Sequence, residues 1–185
     1  MSDLAEKRLT IDEFLLWTEG REGKWELHDG APVAMSPERL RHSVTKGEVF
    51  VTLRAAVRDS GAKCRVFPDG VTVRVRANRA FVPDALIVCP PPPLEDRQTI
   101  SNPLVVVEVL SPSTLAFDHG IKLEGYFSLP SLAHYLILDF DRRVVIHHAR
   151  GRGDVIETRI LHEGLLRLDP PGIEVAIADF FASSD

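Results

Sequence analysis

Two apolar strands, each carrying one acid, constrain this chain more than any other feature of its sequence. Pro83-Asp84 opens the run Ala85-Leu86-Ile87-Val88-Cys89, four prolines at 90 to 93 break the chain, and the run Leu104 to Leu110 is interrupted only by Glu108. An ionised carboxylate buried without a partner is costly, so it neutralises, pairs or binds a cation. On an extended strand Val106, Glu108 and Leu110 share one face, and Val105, Val107 and Val109 the other. A run apolar on both sides is a strand covered on both faces. If the two strands pair, Asp84 and Glu108 converge within reach of one divalent ion. Oxygen-only ligation favours Mg²⁺ or Mn²⁺ over zinc. The competing reading has each acid paired with a buried arginine or capping a backbone amide.

The flanking sequence supplies elements for a sheet around these strands. Thr10 and Glu13 form a capping box ahead of Phe14-Leu15-Leu16-Trp17, which predicts a short helix. Trp25 to Met35 alternates around Asp29-Gly30 and predicts a hairpin, with Pro32 confining its second strand to an edge. Pro37 opens a long helix that Gly61 stops. Its predicted core stripe is Leu40, Val44, Gly47, Val51 and Ala55, widened by Val49, Leu53 and Val57. Arg39, Lys46, Arg54 and Arg58 are placed to its sides.

Strands follow at Cys64–Phe67 and Val71–Arg76, and a turn at Ala77-Asn78 leads to the Asp84 strand. A helix capped by Ser113 or Thr114 runs to about Ser128. His134–Leu138 is a buried strand, and Val144–His148 with Val155–Leu161 forms an antiparallel pair. Ala176–Phe181 closes the chain as a short helix. His147 and His148 point to opposite faces of their strand, which argues against a shared metal. The fold class is therefore α/β (α+β): a mixed central sheet flanked by helices, with an N-terminal hairpin and a C-terminal antiparallel meander. At 185 residues the chain suits one domain over 10–181, with a flexible N-terminus at 1–9 and a tail at 182–185.

The net charge is −5, but residues 38–82 hold ten lysines and arginines against four acids. That basic middle segment reads either as a phosphate-facing surface or as a solvated helix face. No apolar run approaches the roughly 20 residues that span a bilayer. The polar N-terminus lacks a signal core. Cys64 and Cys89 have no metal-ligand spacing and read as two reduced thiols near the core. Together these features predict a cytoplasmic protein with no membrane association.

A set of motifs narrows the choice further. Trp25-Glu26-Leu27-His28-Asp29-Gly30, Arg41-His42, Pro83-Asp84, Val107-Glu108-Val109-Leu110-Ser111-Pro112-Ser113-Thr114, Asp118, Lys122, Tyr126 and the strand His134 to Asp139 together resemble the Uma-type restriction endonuclease family. This family belongs to the PD-(D/E)XK superfamily, and the likeness runs from about Thr10 to Phe181. It implies a restriction-endonuclease-like core and Mg²⁺-dependent hydrolysis of DNA phosphodiester bonds. It implies Asp84, Glu108 and the Val109 carbonyl as metal ligands, with Glu26 as a third catalytic acid. Its signature lysine would stand two residues after the glutamate, where this chain has Leu110. Lys122 is the substitute that the resemblance suggests.

Asp118, Lys122 and Tyr126 recur every four residues, so they form one helical stripe. The plain alternative for Lys122 is a surface ion pair with Asp118. Glu26 has a similarly plain alternative as a sheet-edge charge, and His42 as a structural histidine near a helix end. Arg39, Arg41, Arg74 and Arg76 are candidates for phosphate contacts, which position a nucleic acid without reading it. Three functions follow. The first is a Mg²⁺- or Mn²⁺-dependent endonuclease, working as a homodimer because two-fold symmetry suits cutting two strands. The second is a nucleic-acid-binding protein on the same fold with catalysis lost. The third is a metal-dependent hydrolase of small phosphate esters.

Overall fold

The structure, a computed structural model, describes residues 8–93, 99–110 and 117–182, with the side chains of 117–119 outside the description. Helix α1 (Ile11–Thr18) starts at Thr10, whose hydroxyl and backbone amide exchange hydrogen bonds with Glu13 as the capping box predicts. Strands β1 (Trp25–His28) and β2 (Ala31–Ala34) form the hairpin, with β2 at the sheet edge. Helix α2 spans Leu40–Ser60 and ends on Gly61, whose φ of 70° is a left-handed cap that glycine takes at little cost. Strands β3 (Arg65–Pro68), β4 (Thr72–Arg76), β5 (Arg79–Phe81), β6 (Ala85–Val88), β7 (Thr99–Ile100) and β8 (Val105–Val109) follow. After them come α3 (Phe117–Phe127), β9 (His134–Asp139), β10 (Val144–Arg150), β11 (Ile156–Leu161), β12 (Leu165–Leu168) and β13 (Ile173–Ala176). A 3-10 turn, Ile177–Phe181, packs last.

The larger sheet has the order β11-β10-β9-β8-β6-β3. Strand β8 lies near its middle, parallel to β9 and antiparallel to β6, which is the mixed sheet predicted. All five residues of β8 and all four of β6 are buried. One face, with Ala85, Ile87, Val105, Val107 and Val109, packs under α2, the β12–β13 hairpin and the terminal turn. The other face, with Leu86, Val88 and Val106, packs against Tyr126 and Phe127 of α3 and Val73 and Val75 of β4. The order β2-β1-β5-β4-β7 makes a second sheet. Here the structure departs from the sequence reading: the turn at Ala77-Asn78 leads into β5, which pairs with β1 and β4 before the chain reaches Asp84.

Three further expectations are corrected. Helix α2 begins at Leu40 rather than at Pro37. It also buries a different face. Leu40, Val44 and Val51 are 89%, 54% and 59% exposed, while Thr45, Lys46, Val49, Leu53 and Val57 are buried. The helix carries two overlapping apolar stripes, and the sheet selects the one aligned with Val49, Leu53 and Val57. Lys46 is therefore an inward residue, not a lateral one. The cysteines are not free thiols: Cys64 and Cys89 form a disulfide. The pairing of Arg65 with Val88 sets these two residues opposite each other just beyond the β3–β6 ladder. The proposed caps at Ser113 and Thr114 lie outside the described residues.

Helix α3 packs closely through Gly125. A Cβ there would lie 2.7 Å from the Phe81 ring and 3.3 Å from Val75 Cγ1. Phe81 is fully buried and cannot swing aside. Gly125→Ala is therefore expected to destabilise the protein by roughly 1 kcal/mol net. Overpacking costs about 1–3 kcal/mol, and better helix propensity returns up to about 1 kcal/mol. A thermal melt checks this, and an unchanged or raised Tm would show that α3 shifts freely.

The histidines form a different pair from the one considered in the sequence. His134 Nδ1 lies 3.0 Å from His147 Nε2, and His134 Nε2 lies 3.0 Å from the Pro170 carbonyl. The carbonyl can only accept, so His134 donates through Nε2 and accepts at Nδ1 from His147. Burial beside His134 pushes the His147 pKa down to about 4, which favours the neutral ring. The unfolded chain binds the extra proton between the ordinary pKa of 6.5 and about 4. This contribution to stability is intact above that window and is lost as pH falls through it, by at most about 3 kcal/mol. Urea unfolding at several pH values should show a shallower acid loss for His147→Gln than for the unaltered protein. Parallel curves would remove His147 from acid sensitivity.

Candidate active site

Asp84 immediately precedes β6, opposite Glu108. Its amide donates to the Val107 carbonyl at 3.0 Å, and its Oδ2 accepts the Val109 amide at 2.6 Å. Its Oδ1 lies 2.6 Å from Lys46 Nζ. The carboxylate thus both caps a backbone amide and pairs with a cation, and the cation is a lysine rather than an arginine. Burial raises the Asp84 pKa, against the opposing pull of Lys46 and the Val109 amide.

Glu108 points to the other lysine. Its Oε1 accepts from Lys122 Nζ at 3.2 Å and from the Tyr126 hydroxyl at 2.9 Å. Lys122 also reaches Glu26 Oε1 at 3.0 Å. Glu26 is further held by the Val82 amide at 2.9 Å and by His28 Nε2 at 2.9 Å. It is buried, which removes the edge-charge reading: β1 is covered on both faces where Glu26 and Leu27 sit. Burial pushes Glu26 up, but His28, Lys122 and the Val82 amide outweigh it and hold its pKa below the ordinary value. Burial, with the nearby charges of Asp84 and Glu26, raises Glu108 to about 8 despite Lys122. Burial beside these acids also holds the Tyr126 phenol well above its usual range.

Lys122 and Tyr126 therefore share the inward stripe of α3, as their spacing predicts. Asp118 lies outside the described side chains. His42 Nε2 is 3.0 Å from the Val109 carbonyl, and the ring donates to that oxygen. Of the arginines, Arg41 pairs with Asp141 at 3.1 Å, Arg74 with Asp12 at 2.6 Å, and Arg76 with Glu124. Arg39 is exposed at the start of α2.

Sequence reading missed one part of this centre. Lys46 Nζ contacts Glu38, Asp69 at 3.0 Å and Asp84 at 2.6 Å. These three carboxylates have ligand atoms within 4.8 Å of one another, the spacing of a metal site among the described residues. Burial opposes the charge on Lys46, but Asp84, Glu38 and Asp69 raise its pKa above the ordinary value. A lysine on a helix with polar neighbours gives no hint of this. The available signal was Asp69, an acid in the turn after β3 that follows a proline as Asp84 does.

The family Uma2, described as "Putative restriction endonuclease", matches residues 11–178. The chain belongs to that family. Among similar proteins, the uncharacterized protein slr1290 of Synechocystis sp. is 28% identical over 172 residues, covering 92% of this chain and 90% of that protein. A second Synechocystis protein, the uncharacterized sll1609, is 25% identical over 161 residues, covering 85% and 90%. The fold matches the crystal structure of "a putative nuclease belonging to DUF820" from Anabaena variabilis. The TM-score is 0.70 at 18% identity, covering 94% of this chain and 98% of that one. No helix among the described residues is long and apolar enough to cross a membrane.

The donor set suits a hard divalent ion. The acids form two groups: Glu38, Asp69 and Asp84 meet Lys46, with Lys24 also on Asp69, and Glu26 and Glu108 meet Lys122. Carboxylate oxygens are the donors that hard divalent cations prefer.

Proposed function

We propose that this Uma2 protein is a Mg²⁺- or Mn²⁺-dependent endonuclease that hydrolyses DNA phosphodiester bonds. The observation that carries this reading is Lys122, held at 3.0 Å from Glu26 and 3.2 Å from Glu108, with Asp84 opposite Glu108 on the paired strand. Asp84, Glu108 and the Val109 carbonyl would hold the ion. When bound, the ion supplies Lewis acidity and a more acidic water. His42 fixes the Val109 carbonyl, and Tyr126 fixes the orientation of Glu108. Glu26 holds the Lys122 ammonium in place. The Lys122 ammonium stabilises negative charge that develops on the phosphoryl oxygens during attack.

The basic stretch 38–82 supports a polyanionic partner. Arg39, Arg41, Arg74 and Arg76 are the proposed phosphate contacts. The last three would exchange their present acidic partners for phosphate, and exposed pairs of that kind are worth only about 0–1 kcal/mol. The exposed Leu40, Val44 and Val51 on α2 support a homodimer. In the cytoplasm, where such an enzyme would meet DNA, thiol reductants would act on the Cys64–Cys89 bridge.

Supercoiled plasmid incubated with Mg²⁺ or Mn²⁺ should be nicked or linearised, and EDTA should stop the reaction. DNA affinity should fall steeply with salt. Turnover of nucleotides with intact plasmid would favour a small phosphate ester instead. Leu110, in place of the signature lysine, favours the second reading of a binding protein without catalysis. Salt-sensitive DNA binding without cleavage in either metal would establish that one.

A further inference from the structure

Lys46 is buried, and its ammonium has three donors for three carboxylate oxygens, those of Glu38, Asp69 and Asp84. The acids come from three separate places: the segment before α2, the turn after β3, and the entrance to β6. Nothing local requires them to meet, and three carboxylates at this spacing repel one another unless a cation lies between them. A surface lysine would serve a solvated helix face equally well from outside. This one is buried and reaches all three, whereas Lys24 meets only Asp69 among them.

We propose that Lys46 is a tethered cation standing where a second divalent ion would otherwise bind, so that the site runs on one exchangeable ion and one fixed charge. The inference deepens the nuclease reading and rests on it for the chemistry, but its core claim concerns charge occupancy alone. Lys46 is a positioning residue for Asp84. Its ammonium pairs with Oδ1 while the Val109 amide donates to Oδ2, and the two contacts together fix the orientation of the carboxylate. The class of ligand it excludes is a hard divalent cation.

Bound Mn²⁺ per chain, measured by equilibrium dialysis with electron paramagnetic resonance, tests this without reference to activity. Lys46→Met should bind one more Mn²⁺ than the unaltered protein, and Lys46→Met/Asp69→Asn should lose that added ion. Thermal melts guard against a folding defect. Lys46→Met should melt lower in EDTA and regain its Tm in millimolar Mn²⁺, whereas the double variant should regain less. Equal Mn²⁺ stoichiometry in Lys46→Met and the unaltered protein overturns the proposal. So does an added ion that survives Asp69→Asn, or a Lys46→Met protein that stays unfolded with Mn²⁺ present. If the unaltered protein binds no Mn²⁺ at all, the nuclease reading fails, yet a gain from none to one in Lys46→Met still establishes the role of Lys46.

Discussion

Glu108→Gln should lower Mg²⁺-dependent DNA cleavage by at least about 100-fold while leaving the metal-free fold nearly as stable as before. Both halves of this expectation come from the position of the residue. Glu108 is the single polar side chain on its face of β8, and burial with the charges of Asp84 and Glu26 raises its pKa to about 8. Without metal, burial favours its protonated form, and an amide has the same shape as a protonated carboxyl. The hydrogen bond from Tyr126 at 2.9 Å can pass to the amide oxygen unchanged. What the amide cannot supply is the negative charge that holds a divalent ion. The Tm in EDTA should move by no more than a few degrees, and the upward shift expected of the unaltered protein in Mg²⁺ should shrink. Cleavage that persists in purified Glu108→Gln, with contaminating nuclease excluded, would take this acid out of the chemistry.

Lys122→Met should damage both activity and stability. The ammonium bridges Glu26 and Glu108 at 3.0 and 3.2 Å, and its removal leaves two buried carboxyls with no cation between them. Breaking a buried ion pair from one side costs about 3–5 kcal/mol. Proton uptake by Glu108 relieves part of that cost, so the loss should be smallest at low pH and grow as pH rises. Cleavage should fall by about 10²–10³-fold, the scale set by losing one preorganised charge at a developing anion. Denaturant unfolding at two pH values reads the first effect, and single-turnover cleavage of the folded fraction reads the second. Activity within a few-fold of normal would assign Lys122 to structure alone.

The parts of this molecule visible in its sequence are those written locally. The Thr10–Glu13 box, the Asp29-Gly30 turn and the apolar run around Glu108 each carry their own signal within a few residues. The stripe of Lys122 and Tyr126 on α3 was equally local. What escaped depended on contacts between distant segments. The buried face of α2 was ambiguous until the sheet chose between two stripes. Lys46 looked like a solvated residue because its three partners lie before the helix, 23 residues after Lys46 and 38 residues after Lys46. The Cys64–Cys89 bridge follows from the register of β3 on β6, which no spacing rule supplies. Strands β5 and β7, with three and two residues, are too short to show periodicity.

Helix α2 has a mechanical consequence. His42 and Lys46 stand one turn apart on the same stiff rod, one gripping the Val109 carbonyl and the other the Asp84 carboxylate. Tilting or sliding the rod disturbs both grips together, so these two oxygen donors are geared and can only loosen or tighten in step.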